Sequence, residues 1–166
     1  MAQTPRARAA LAALRKHLLT LLAMGVGALV GVGGFTFTYA RGGAYLTSDP
    51  RACVNCHVMR EQFEGWRHGS HRAVAGCNDC HAPPGLLPKL YVKARNGLHH
   101  SWAFTTGRFH EPIQMGEFNR AVTEEACRGC HATVASAIET HAQGSVRRAD
   151  ARVSCLRCHA DVGHLH

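Results

Sequence analysis

Four times along the sequence two cysteines stand two residues apart and a histidine follows at once. The sets are Cys53/Cys56 with His57, Cys77/Cys80 with His81, Cys127/Cys130 with His131, and Cys155/Cys158 with His159. C-x-x-C-H is the attachment pattern of c-type haem. Its thiols bond the vinyl-derived carbons of one porphyrin, and the imidazole that follows is placed to reach the iron. A disulfide framework would not need the trailing histidine. Zinc held by cysteines alone would leave those histidines without a role. All 8 cysteines fall in these pairs, so the pattern predicts four covalent haems and no disulfide.

Rapid electron transfer favours an iron ligated on both faces, because its geometry then changes little between oxidation states. The motif histidines His81, His131 and His159 each supply one side, as does His57 or a substitute for it. Further candidates are His68, His71, His99, His100, His110, His141, His164 and His166. His71 and His141 are favoured as distal ligands. Each lies between the two motifs of a pair and follows a short hydroxyl residue, Ser70 or Thr140. His68 is the rival of His71, and His164 and His166 are expected to face solvent in a terminal tail. Met59 stands two residues after His57. Such a methionine either fills a gap beside a cofactor or binds the iron and raises its potential, and spacing leaves both open.

The elements that must carry these groups differ sharply along the chain. Residues 1–16 form a basic tail, with Arg6, Arg8, Arg15 and Lys16 and no acid. From Leu18 to Ala40 run 23 residues without a charge. At about 1.5 Å per residue this stretch spans a hydrocarbon core of about 30 Å with some tilt. It is too long for the apolar part of a cleaved signal, and Thr38-Tyr39-Ala40 is a poor cleavage site. Residues 17–40 are therefore expected to be an uncleaved anchor. The basic tail keeps the N-terminus in the cytoplasm and sends the rest to the outer side of a bacterial cytoplasmic membrane, where haem is attached to cysteine. Tyr39 and Tyr45 suit its outer interface.

Residues 41–52 read as a linker and 53–166 as a haem domain with dihaem halves, 53–81 and 127–159. The motifs begin 24, 50 and 28 residues apart, which gives the chain a paired look. With so many haems per residue the porphyrins must form the core. The expected fold is mainly α with much irregular structure and no sizeable sheet. In the connector, Leu87, Leu90, Tyr91, Ala94, Leu98 and Trp102 recur at helical spacing after Pro88, while Lys89, Lys93 and Arg95 lie elsewhere around the turn. Such a helix either lies at a lipid surface or packs its stripe on a haem. Lys93, His99 and His100 can handle protons at a redox site. The formal charge of +8 does not call for nucleic acid, because haem propionates return negative charge to the fold.

Taken in order, the motif set resembles the NapC/NirT family of quinol dehydrogenases. The features are four C-x-x-C-H motifs behind one anchor, C-x-x-C-H-x-M at the first haem, and Trp66-x-x-x-Ser70-His71 before Cys77-Asn78-Asp79-Cys80-His81. The segment Thr106-Gly107-Arg108-Phe109-His110-Glu111-Pro112-Ile113 and the short C-terminus are most similar to the small-subunit type of cytochrome c nitrite reductase. The resemblance implies that Met59, with His57 as the alternative, binds the first haem beside a quinol pocket. It also implies distal roles for His141 at the third haem and His71 at the fourth, and a partner's lysine at the second. Lys93 fits a quinol-binding lysine, whereas the acid expected near it falls on His99 or His100, a departure from the family pattern.

The function implied is oxidation of menaquinol, with electrons passed to a periplasmic multihaem nitrite reductase in a hetero-oligomer. An anchor for nitrate or trimethylamine oxide reductase is the alternative. A stand-alone catalyst at the open haem, or a passive relay without quinol chemistry, belongs to other classes. The mass of the intact chain tests the haem count. It should carry the added mass of four haems and retain the N-terminal segment.

Overall fold

The computed structural model describes residues 5–145 and 152–164. It divides into a unit ending at Gly43 and a unit beginning at Ala44.

The first unit is one helix, α1 (Pro5–Tyr39), of 35 residues. Proline suits its first position, where the missing N–H costs nothing. Within Arg8–Tyr39 an 18-residue stretch reaches a mean hydropathy of 2.1, and the helix is long and apolar enough to cross a membrane. Leu18, Leu21, Leu29, Val32 and Phe35 are all exposed around it, as a helix apolar on every side requires of its surroundings. Two of its hydroxyls are satisfied internally: Thr20 donates to the Lys16 carbonyl at 2.9 Å and Thr38 to that of Gly34 at 2.8 Å. Polar groups in lipid need such partners. Past Tyr39 the chain turns at Arg41, whose φ is +51°. A Cβ at Gly42 would lie 2.4 Å from the Phe37 ring, so a larger residue there requires that exposed ring to shift.

The second unit carries α2 (Arg60–His68), α3 (Cys77–His81), α4 (Leu86–Thr106), α5 (Glu117–Cys130) and α6 (Ala132–Ser145), with 3₁₀ turns at Pro50–Asn55, His57–Met59 and Cys155–Arg157. No strand occurs among the described residues. Each haem motif sits on a helical turn. The second is α3 itself, the third closes α5 with His131 at its C-cap, and the first and fourth lie on or beside 3₁₀ turns. One turn of helix brings residues three apart onto the same side, which is what two thiols reaching one porphyrin edge need. Glycines with positive φ bound α4: Gly85 at +88° and Gly107 at +68°. Pro88 falls in its first turn, where a helix tolerates it.

The side-chain core of this unit is slight. Among the described residues the buried apolar side chains are Ala82, Val92 and Ala103, joined by Thr123 and Glu124. On α4, Leu87, Leu98 and Trp102 are exposed at 77%, 76% and 64%, so these members of the stripe read from the sequence do not pack on neighbouring helices. Helix α4 meets α5 instead through Phe118, which takes the Tyr91 ring edge-on at 6.5 Å and the Arg95 guanidinium at 3.8 Å. With burial worth about 25 cal/mol per Å², this core alone cannot offset the entropy of ordering the chain. A full-length chain produced without haem attachment should therefore keep α1 helical in detergent. Its second unit should show no cooperative thermal transition by circular dichroism.

Candidate functional site

The first motif is held by short local contacts. Asp49 caps its turn by accepting the Arg51 N–H at 2.9 Å, and Pro50 opens the turn. Met59 is half-buried where the His57–Met59 turn meets α2, while His57 is exposed. Beside this motif the segment Tyr45–Thr47 gathers groups from elsewhere. Lys93 Nζ donates to the Thr47 carbonyl at 2.6 Å, and Asn78 of the second motif donates to the same oxygen at 3.3 Å. Two turns further along α4, His100 Nδ1 lies 3.0 Å from the Tyr45 hydroxyl. The exposed His99 holds its ring beside that of His100, centroids 6.3 Å apart.

Electrostatics follow from this packing. Burial, then the like charge of Lys89, holds Lys93 below its ordinary value, although Cys53 opposes the shift. Burial, then His99, lowers His100, so its imidazole is neutral at pH 7. Burial, then the neighbouring Cys56 and Cys53, raises Tyr45, which keeps its proton. The three sequence candidates Lys93, His99 and His100 thus lie together on α4, and two of them touch one short segment. Tyr45 and Thr47 had no signal in the sequence that tied them to this helix.

The motifs touch one another in chain order. The Cys53 and Cys77 thiols are within hydrogen-bonding reach. Cys80 is close enough to feel Cys130 and to act on Cys127, and Cys127 in turn acts on Cys155. Helix α3 packs on α5, and the Cys155–Arg157 turn packs on α5 as well. Glu124 makes the last junction. Its carboxylate accepts the Ser154 hydroxyl at 2.5 Å and the N–H groups of Cys155 and Leu156 at 2.9 and 3.1 Å. Arg128, inside the third motif, donates to Glu124 at 3.3 Å, to Glu139 at 3.1 Å and to the Val153 carbonyl at 2.8 Å. Arg152 and Glu125 add an exposed ion pair at the same junction.

The two thiols of a motif differ in exposure. Cys53, Cys127 and Cys155 are half-buried, whereas their partners Cys56, Cys130 and Cys158 are exposed. Only the second motif, on α3, has both thiols half-buried, at Cys77 and Cys80. The fourth motif shows the reason most clearly. Cys155 opens its turn against Glu124 of α5, while Cys158 closes the turn as its C-cap and donates its N–H back to the Cys155 carbonyl at 3.2 Å. Protein–protein packing thus falls on the first thiol. The neighbouring His159 is exposed with Cys158.

Among the described histidines outside the motifs, His71 and His164 lie against motif histidines. The His71 ring meets that of His131 edge-on at 6.1 Å, and its Nδ1 lies 3.3 Å from the Val162 carbonyl. It thus stands against the third motif and the chain just past the fourth. His164 stacks on His81 at 5.9 Å, with Nδ1 2.8 Å from the Gln62 carbonyl. The expectation that His164 faces solvent is therefore corrected: it is half-buried, because α2 offers it a carbonyl. That carbonyl lies 102 residues away, and no local pattern announces it. His68 turns to the Glu64 carbonyl of its own helix at 2.8 Å. The side chain of His141, carried on α6, and the whole of His166 lie outside the described residues.

These donors suit c-type haem. Each motif presents two free thiols and an imidazole on or beside one turn. Among the described residues no three His, Cys, Asp or Glu side chains converge as a closed metal cage. Burial, then His164, pulls His81 down to about 4, leaving the neutral imidazole that a metal requires.

The fold and this donor set define a helical multihaem c-type cytochrome with one apolar N-terminal helix. Residues 13–166 match the model of the NapC/NirT cytochrome c family, N-terminal region, and the chain belongs to that family. It is 39% identical over 127 residues to the cytochrome c-type protein NrfH of Wolinella succinogenes, covering 73% of this chain and 71% of that protein. It is 32% identical over 139 residues to the cytochrome c nitrite reductase subunit NrfH of Nitratidesulfovibrio vulgaris, covering 84% and 80%. Among solved structures it is similar to a cytochrome c nitrite reductase NrfHA complex bound to the HQNO inhibitor, with a TM-score of 0.55, 30% identity and coverage of 87% and 90%.

Glu124 supplies a test of the junction between the last two motifs. Burial works to raise its pKa, but the bonds from Ser154, Cys155 and Leu156 overcome this and hold it at about 2, against an ordinary 4.5. A depressed carboxylate stabilises the fold above its unfolded value, and that contribution is lost as pH falls through the folded one. Glu124→Gln should cost about 1–3 kcal/mol at pH 7. Chemical denaturation should also show a shallower loss of stability for the variant between pH 4.5 and 2.

Proposed function

We propose that this chain is the membrane-anchored electron-transfer subunit of a nitrite reductase complex. It oxidises menaquinol at the outer face of the cytoplasmic membrane and passes the electrons through four c-type haems to a multihaem catalytic subunit. The observation that carries the reading is the convergence of Lys93 and His100 on residues 45–47 beside the first motif. The likeness to NrfH proteins and to the NrfHA complex supports the choice of partner.

Bound haem supplies one-electron iron centres, which divide the electron pair of a quinol. The chain's own residues do the rest. The eight motif thiols, from Cys53 to Cys158, are the attachment points. Met59, better buried than His57, is the ligand assigned to the first haem, with His57 as the alternative. His81, His131 and His159 hold the others. Distal places fall to His71 and His141, with His164 added by its position against His81. Lys93 leaves the Thr47 carbonyl to hold a quinol oxygen, and His99 and His100 line the same site. The exposed Leu87, Leu98 and Trp102 give α4 an apolar face for the lipid in which the quinol dissolves. Chain-order contact between motifs makes the electron path run from the first to the fourth.

Lys93→Ala and, separately, His100→Ala should slow haem reduction by a soluble menaquinol analogue by about 10-fold or more, as loss of a charge-assisted bond or a proton acceptor does. A small artificial reductant should still reduce all the haems in both variants. Failure with both donors would instead mean a damaged haem wrapping.

Electron paramagnetic resonance tests the ligands. His71→Ala and His164→Ala should each convert one low-spin haem to high spin in the isolated chain. If His164→Ala changes nothing and a high-spin haem becomes low-spin when the catalytic subunit binds, the second haem takes its ligand from the partner.

A further inference from the structure

The contact between Tyr45 and His100 joins residues 55 apart in sequence and lies where the proposed reaction must release protons. Tyr45 rests on Gly97 of α4, where a Cβ would meet its ring at 3.6 Å. The phenol lies along the helix in ordinary contact with Gly97 and reaches His100 one turn further on. The ring planes are tilted by 51° with centroids 6.4 Å apart, so the contact is made by the hydroxyl and Nδ1 at 3.0 Å rather than by stacking. Tyr45 is also near enough to the first motif to feel Cys53 and Cys56, and it remains 36% exposed. One end of the pair is therefore half-buried on α4 and the other reaches solvent.

The geometry points to Tyr45 and His100 as a two-member proton relay that carries quinol protons from the first haem site to water. The inference rests on the quinol-oxidising reading above. With its hydrogen on Nδ1, His100 donates to the Tyr45 oxygen and leaves Nε2 bare as a base. For each electron handed to a ferric haem, one proton leaves a quinol hydroxyl for His100 Nε2. The proton on Nδ1 crosses to the Tyr45 oxygen, and the proton of the Tyr45 hydroxyl leaves to water. Rotation of the phenol O–H and return of the imidazole hydrogen to Nδ1 reset the pair. Two such passages turn the quinol into the quinone, with two haem irons reduced and two protons outside. Burial favours a neutral imidazole and a protonated phenol at rest, which are the states the relay starts from. An imidazole that can both accept and donate replaces a single carboxylate acceptor only if its second nitrogen has a partner, and Tyr45 is that partner.

The test uses the full-length, haem-loaded chain in detergent. Stopped-flow reduction by a soluble menaquinol analogue is compared with reduction by dithionite, and HQNO affinity is measured by titration. Tyr45→Phe keeps the packing on Gly97 and removes only the hydroxyl. His100→Gln keeps a hydrogen-bonding group but cannot relay a proton. The relay requires Tyr45→Phe to slow quinol oxidation about tenfold and His100→Gln about 100-fold, in the range of general acid–base effects. HQNO affinity in Tyr45→Phe and the dithionite rate in both variants should stay within twofold, and added imidazole should restore part of the rate of His100→Ala. A Tyr45→Phe variant as fast as the parent, beside a slow His100→Gln, overturns the relay and leaves the quinol reading intact. A loss of HQNO affinity in Tyr45→Phe that matches the loss of rate overturns it too, because Tyr45 is then a binding group. Loss of both donors in Tyr45→Phe overturns it in favour of a packing role. Full quinol activity in both variants overturns the relay, and full activity in Lys93→Ala as well overturns the quinol site.

Discussion

Between Ala44 and the C-terminus the chain must be held together by what its cysteines bind. Three small apolar side chains, Ala82, Val92 and Ala103, are its buried hydrophobic residues among those described. Hydrophobic burial on that scale cannot balance the conformational entropy of ordering the helices and loops around them. Covalent bonds from the motif thiols to the rigid, flat, apolar c-type haem would meet the deficit in two ways. They would shorten the loops of the unfolded chain, and they would supply apolar surface against which exposed side chains can pack. Each motif needs only one helical turn to aim its two thiols.

What side-chain structure there is concentrates on keeping motifs in contact. Glu124 and Arg128 are the clearest case. The carboxylate satisfies the N–H groups that open the fourth motif's turn, while the guanidinium ties the third motif to Glu139 and to the Val153 carbonyl. Both side chains are largely shielded, at 11% and 14% exposure, so their bonds are less screened than those of surface pairs. Trp66 does similar work earlier, donating to the Ala75 carbonyl at 2.9 Å and fixing the loop that leads into the second motif. Electron transfer between haems falls steeply with distance. A fold that spends its few polar contacts on motif junctions is suited to a relay.

At the entry end the same economy gives chemistry. The Thr47 carbonyl takes Lys93 and Asn78 together, so α4 and the second motif are drawn to the residues that lead into the first. A cation and an imidazole are placed two turns apart on one helix face, and the segment they share continues directly into the first haem motif.

The sequence by itself determined the class and pointed to the covalent chemistry. C-x-x-C-H carries its geometry locally, since one helical turn sets two thiols and an imidazole, and an apolar run of membrane length needs no partner to be recognised. The connector helix was legible for the same reason, from 3.6-residue spacing and its Gly and Pro boundaries. The packing of α3 on α5, across the two dihaem halves that spacing suggests, was not legible, because contact between helices depends on where the loops return. The unequal burial of Cys155 and Cys158 was hidden too, since it depends on which end of their turn meets Glu124. Nor was the half-buried place of His164 legible, since its partners Gln62 and His81 lie on distant turns. Tyr45 read as an interface aromatic until folding brought it to His100. Local pattern decides which groups a chain can offer, and the path of the backbone through space decides which of them meet.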